Sequence, residues 1–311
     1  MLSRRSVRVK VMQLLYAQDR DPVLKSKDIV NAYHDEVQKS YELFLFSLYV
    51  IMSVSECSTQ DEKKRKSKHL PSDLDKIFSN KLFTNEIISG IAANKVLLKK
   101  FEKLGFDTKV NNDYINKIYD EFSKKEEYTA FLKNEQSKDE TIELLLELYR
   151  FCRQDEYFNE MLEDSYYNWL DDKSLVVGSV KKFLKALPSD NANLADTFLP
   201  DDETVKDFGL NLLKLSIKNK DKNMKVIIPV LENWDHERLA IIDTILIRMA
   251  LTEFLDFPTI PSKVTLNEYV ELAKQYSTAK SKEFINGILD KLMKNFEENN
   301  ELKKEGRGLI S

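Results

Sequence analysis

Glycine and proline are both scarce: seven of each in 311 residues. A chain with so few turn residues is a poor candidate for a doubly wound α/β fold or an all-β fold, which need frequent tight turns. Cysteine occurs twice, at Cys57 and Cys152, too far apart in sequence for a metal-ligand spacing and too few for a disulfide framework. Both read as free thiols of a reducing compartment. The histidines, His34, His69 and His236, pair with no cysteine or carboxylate at ligand spacing. No Gly-rich phosphate loop and no Gly-x-Ser-x-Gly elbow occurs. The sequence therefore predicts no enzyme, no metal site and no cofactor.

Long apolar runs are also missing. The longest, LFLFSLYVIMSV over Leu43–Val54, is shorter than the ~20 residues a bilayer span takes. No signal peptide is legible, because the basic start runs into VKVMQLLYAQ. A cytoplasmic protein with no membrane partner is expected.

What is abundant is charge, 32% of residues, with lysine, glutamate and leucine prominent. That is a helical composition. The net charge of −4 excludes indiscriminate polyanion binding, so any nucleic-acid site must be a local patch. One such patch is the start: Arg4, Arg5, Arg8 and Lys10 precede the first acid, Asp19. Cations at a helix N-terminus oppose the macrodipole at ~0.3–1 kcal/mol each, which suits either a solvated basic end or a binding role.

Apolar spacing predicts an amphipathic helix over 4–19, with Val7, Val11, Leu14 and Leu15 on its inner stripe, and a long buried helix over 27–56. DEKKRKSKHLPSD then reads as a surface loop. Some five or six helices are expected over 84–187, with an acidic stretch at EYFNEMLEDSYYNWLDD. Residues 187–203 read as a linker. Helices follow over 203–220, 222–232 and 236–256, and Pro258 and Pro261 stop the last of these. Thr265-Leu-Asn-Glu268 has the form of a capping box opening a helix to about 276. Ser281 is placed to cap a final helix to about 297, and the tail KKEGRGLIS reads as extended. No strand pattern is found.

Asn286-Gly287 is a turn dipeptide set in helical spacing: Ile285, Ile288, Leu289, Leu292 and Phe296. A glycine inside a helix costs ~1 kcal/mol against alanine. The expectation is that Gly287 packs closely on another helix, most plausibly the first. That would bring the basic terminus beside Lys280 and Lys282.

Several pieces, in order, resemble the NusB family of transcription antitermination factors: Arg4-Arg5-x-x-Arg8 with Gln13-x-Leu-Tyr16; Asp243 with Arg248-Met-Ala and Glu253; Ile260-Pro261-x-Lys-Val-x-x-Asn267-Glu268; and Phe284-Ile-Asn286-Gly287-x-Leu-Asp290-Lys291. The resemblance runs over 4–18 and from about 233 to 291. It implies an all-α, NusB-like multi-helix bundle with a large helical insertion after the first helix. The parts would be residues 1–20 as the first core helix, 21–200 as an insertion like that of Bacteroidetes-type members, and 201–311 as the C-terminal core. It also implies partners: a boxA-type single-stranded RNA of ribosomal RNA leaders, the ribosomal protein NusE, and the RNA polymerase antitermination complex. The family has no catalytic residues and no required cofactor.

Unpaired bases are held by stacking on rings and by cations on the backbone. The expected RNA-binding residues are Arg4, Arg5, Arg8, Tyr276, Lys280, Ser281, Lys282 and Phe284. Phe284 also reads as a core residue. Tyr16 and Asp243 are expected to face NusE, and Arg248 and Glu253 to be buried polar groups needing partners. The arginine cluster is interrupted by Ser6 and Val7, and Lys280 stands where some relatives carry an acid. A non-catalytic helical scaffold in ribosomal RNA synthesis or maturation is the competing reading. A NusB-like domain of an RNA methyltransferase does not fit, since the chain has neither a Gly-rich loop nor a catalytic cysteine motif.

Overall fold

A computed structural model describes residues 1–231 and 239–309. Every regular element among them is helical. The chain divides into two compact units, Gln38–Leu199 with Met1, and Leu2–Val37 with Pro200–Ser311.

The chain begins with α1 (Arg4–Arg20) and α2 (Ser26–Lys66), whose first part belongs to the second unit. The first unit continues with α3 (Asp73–Ile77), α4 (Lys81–Thr84), α5 (Glu86–Ala93), α6 (Lys95–Lys103), α7 (Phe106–Lys109), α8 (Asn112–Phe122), α9 (Glu126–Lys133), α10 (Lys138–Cys152), α11 (Glu156–Ser165) and α12 (Trp169–Ala186). The apolar run of α2 is its axis. Phe44 packs on Phe183 and Phe198, and Phe46 on Phe106 and Tyr166. Each fully buried aromatic or aliphatic side chain contributes ~1.5–3 kcal/mol. A helix apolar all round must be enclosed. By length and composition α2 also has a stretch apolar enough to cross a membrane, but 67% of that stretch is buried inside the protein.

Three expectations change here. The charged stretch after residue 56 is helix up to Lys66. Pairs one turn apart, Arg65–Asp61 and Lys66–Glu62, support it, and Arg65 and Lys68 both bind Asp75. The span 84–187 holds eight helices, α5 to α12, because single asparagines make the junctions: Asn94 ends α5 and caps α6 through its own side chain. The 187–203 segment does hold the boundary between the two units, after Leu199, but it is anchored part-way: residues 188–193 are exposed, whereas the Tyr41 hydroxyl donates to Ala195 O at 3.2 Å and Phe198 stacks on Phe44.

The second unit adds a π-helical stretch (Glu203–Leu210), α13 (Asn211–Lys218), α14 (Lys220–Ile227), α15 (Ile241–Asp256), α16 (Ser262–Tyr276) and α17 (Ser281–Glu298). Its centre is α15, buried from Ile245 to Phe254 and contacted by α1, α13, α14, α16 and α17. The expected helix over 203–220 is thus π-helical in its first half. The expected start of α15 at 236 and the end of the 222–232 helix lie outside the described residues; α14 itself ends at Ile227 and runs into a 3-10 turn.

The glycine that permits close approach is Gly209. A Cβ there would lie 2.0 Å from Tyr33 Oη and 2.2 Å from Val7 Cγ1. The Tyr33 hydroxyl crosses this gap and donates to Val205 O at 2.8 Å. Gly287 does the opposite of what its sequence context predicts: it is exposed, and an added Cβ would meet nothing within 4 Å. It does lie inside α17, so Asn286-Gly287 is not a turn. The end of the chain is not wholly extended. Glu305 N donates to Pro258 O at 2.9 Å, and Gly306–Leu309 form a 3-10 turn.

Candidate nucleic-acid interface

Ser3 caps α1, its hydroxyl accepting from Ser6 N at 3.1 Å, and no acid stands in the first turn. The helix-start arginines instead receive carboxylates from other elements. Arg4 pairs with Glu203 at 2.9 Å. Arg5 forms a two-point pair with Glu268 of α16, at 2.9 and 2.7 Å. Arg8 forms another with Glu253 of α15, at 2.9 and 2.6 Å.

These pairs differ in kind. Arg8 is only 3% exposed, and its guanidinium lies 4.9 Å from the Phe208 ring centre. Glu253, wholly buried, also accepts from Thr265 Oγ1 at 2.8 Å and from Tyr269 Oη at 3.1 Å. Burial alone would lower the Arg8 pKa, but Glu253 outweighs it and the net shift is upward. The Tyr269 hydroxyl is raised well above its ordinary value by burial and by Glu253. Arg8 therefore points into the protein, where it ties α1 to α15 and, at 3.5 Å, to Glu268. Arg4 and Arg5 remain at the surface, at 39% and 53% exposure. Hydrogen bonding to Arg5, and more weakly the charge of Arg8, holds the Glu268 carboxyl below the usual range.

Thr265 and Glu268 do not form the expected capping box. The helix starts three residues earlier, at Ser262, with Thr265 N already donating to Pro261 O at 3.1 Å. Both side chains are spent on Glu253 and Arg5 instead.

The second cationic segment is the turn between α16 and α17. Asp243 organises it from the first turn of α15. The carboxylate is 5% exposed and accepts from Ser277 Oγ at 2.5 Å and Ser281 Oγ at 2.7 Å. Ser281 in turn accepts from Thr278 Oγ1 at 2.7 Å. Ser281 is thus buried under the turn and does not cap α17, which has no side-chain cap. Asp243 likewise faces inward, whereas Tyr16 is exposed on α1. Lys280 is exposed, and Lys282, Tyr276 and Phe284 are half-buried. Phe284 lies outside the fully buried core that takes Ile285 and Ile288.

The charges of the two cationic segments both act on one exposed carboxylate of α16. The Glu271 carboxyl is lowered first by its hydrogen bond to Lys274, and further by the charges of both Arg5 and Lys282. Arg5, Glu271, Leu272, Lys274 and Gln275 line a shallow groove of about 280 Å³, which ends one residue short of Tyr276. On the other side, Arg4 and Arg5 border a larger groove of about 620 Å³ with Ile260, Pro261, Lys263, Val264 and Asn267. The counter-charges Glu203 and Glu268 and the hydroxyls of Ser277 and Thr278 are neighbours of the expected site residues that spacing alone does not reveal. Arg248, expected to need a buried partner, has Asp19 at 2.7 Å.

The family model for the NusB family matches residues 181–294. That span begins within α12, ends within α17 and leaves out α1. The transcription antitermination protein NusB of Salinibacter ruber is 38% identical over 112 residues, 36% of this chain and 70% of that protein. The NusB protein of Chloroherpeton thalassium is 40% identical over 109 residues, 35% of this chain and 52% of that protein. The NusB protein of Koribacter versatilis is 37% identical over 89 residues, 29% of this chain and 61% of that protein. No solved structure matches the chain. With more than two thirds of the Salinibacter protein covered at this identity, the chain belongs to the NusB family.

Proposed function

We propose that this protein is an RNA-binding transcription antitermination factor. It acts without catalysis, in the cytoplasm, with NusE and the RNA polymerase antitermination complex on a boxA-type single strand of ribosomal RNA leaders. The observation that carries this reading is that Arg5, at the surface start of α1, lines the groove along α16 that reaches Gln275, the residue before Tyr276. Arg4, Arg5, Lys280 and Lys282 supply phosphate contacts along one face, and Tyr276 and Phe284 supply rings for stacking at ~1–3 kcal/mol per base. Arg8 and Ser281 act one step back, holding α1 and the Ser277–Lys280 turn in place. Tyr16 offers an exposed ring for the protein partner.

The test is binding of a short boxA-type RNA across a salt series, with and without NusE. For a single strand the slope of log affinity against log salt is ~0.7 per phosphate neutralised. Arg4→Ala and Arg5→Ala are each expected to lower it by about that amount. The scaffold reading draws on the first unit, most of which lies outside the family match. Slopes that stay unchanged in both variants, with partner proteins still bound, would favour it.

A further inference from the structure

We propose that the groove between the start of α1 and the segment Thr259–Val264 receives one unstacked nucleotide of the bound strand, with Asn267 reading the edge of its base. The proposal rests on the RNA reading above and assigns a specificity subsite to it.

The groove's lining is of mixed chemistry. Its volume of about 620 Å³ falls within the ~300–1,000 Å³ of small-ligand sites. Ile260, buried, Pro261, half-buried, and Val264, exposed, supply its apolar surface. The surface arginines Arg4 and Arg5 and the exposed Lys263 line the groove as well, together with the Glu268 carboxylate that Arg5 and Arg8 hold. Asn267 also lines the groove. Neither Asn267 nor Lys263 makes a side-chain hydrogen bond or ion pair among the described residues, whereas Arg4, Arg5 and Glu268 are all engaged.

A nucleotide matches this set point by point. The base has an apolar face for that apolar surface, and a guanidinium plane can stack on a base as well. Its edge presents neighbouring donors and acceptors, which a carboxamide, with one acceptor oxygen and a two-hydrogen donor, can pair in bidentate fashion. The phosphate meets Lys263 without first displacing a carboxylate. An acidic peptide would satisfy the cations but leave the amide and the apolar surface without a matched partner.

The groove is also continuous with the face proposed for the rest of the strand. Arg5 borders both this groove and the shallow one that runs along α16 towards Tyr276. A strand following α16 from the Ser277–Lys280 turn reaches Arg5 and then has this groove as its next concavity.

The experiment uses the full chain and a set of short single-stranded boxA-type RNAs, each abasic at one position, titrated by fluorescence anisotropy. Asn267→Ala is expected to weaken binding of the intact RNA about tenfold and to leave unchanged the affinity for the RNA that is abasic at one particular position. That non-additivity is the signature of a direct contact. Its salt slope stays as in the parent, while Lys263→Ala lowers the slope by ~0.7. Val264→Glu, at an exposed position, is expected to weaken every RNA with a base at that position while the thermal melt is unchanged. The proposal is overturned if Asn267→Ala weakens all RNAs by one common factor or none, or if it weakens NusE binding and leaves RNA affinity intact. If the parent protein binds none of the RNAs, the antitermination reading itself fails, a result distinct from these.

Discussion

Arg8 and Glu253 meet as a two-point ion pair at 2.6 and 2.9 Å, with neither side chain more than 3% exposed. Deleting one partner strands the other charge, which costs about 3–5 kcal/mol in buried pairs. Glu253→Gln and Arg8→Met are each expected to destabilise by that order in urea unfolding. Arg8→Met with Glu253→Leu should recover much of the loss, since a well-packed apolar pair often matches a buried salt bridge. Additive losses in the double variant would mean the two residues are not coupled.

Two helical glycines should respond with opposite signs. Gly287→Ala removes the helix penalty of glycine and meets no neighbour, so a gain of up to ~1 kcal/mol is expected. Gly209→Ala drives a methyl into Tyr33 and Val7 and should cost about 1–3 kcal/mol as overpacking. Thermal melts of the two variants decide this; shifts of the same sign would refute the assignment.

Asp243 is expected to act through the turn it holds. Asn in its place keeps one acceptor oxygen for the hydroxyls of Ser277 and Ser281, where the carboxylate offers two. Hydrogen bonds to a charged group contribute ~1.5–3 kcal/mol, so Asp243→Asn should lower stability by about one such bond and weaken RNA binding with it. A variant with parental stability that fails only to bind NusE would instead make Asp243 a partner contact.

Helix content was legible because it depends on composition and short-range spacing, and both are local. Helix ends were less so. The stretch 61–66 has a loop's composition, yet its charges alternate at the spacing that supports a helix. Thr265 and Ser281 carry capping signatures, but buried carboxylates at Glu253 and Asp243 compete for their hydroxyls. A hydroxyl's choice between its own backbone and a distant acid cannot be read from neighbours in sequence.

The same limit applies to the candidate site. The arginines at positions 4, 5 and 8 look equivalent in one dimension. Helical rotation turns Arg8 towards α15 and leaves the other two at the surface, and the acids that separate their roles lie on three other elements. Gly287 belongs to a turn dipeptide, whereas Gly209 follows an ordinary helical pattern and is the one with Tyr33 and Val7 against it.

Arg8 and Glu253 are 245 positions apart. A ribosome adding ~5–20 residues per second needs roughly 12–50 s to cover that distance. Until α15 is made, Arg8 of α1 lacks its buried partner. Gln38–Leu199 is complete in the nascent chain long before. The order of synthesis therefore lets the middle of the polypeptide settle first, and the arginine-bearing start of α1 completes its pairs only once α15 and α16 have been made.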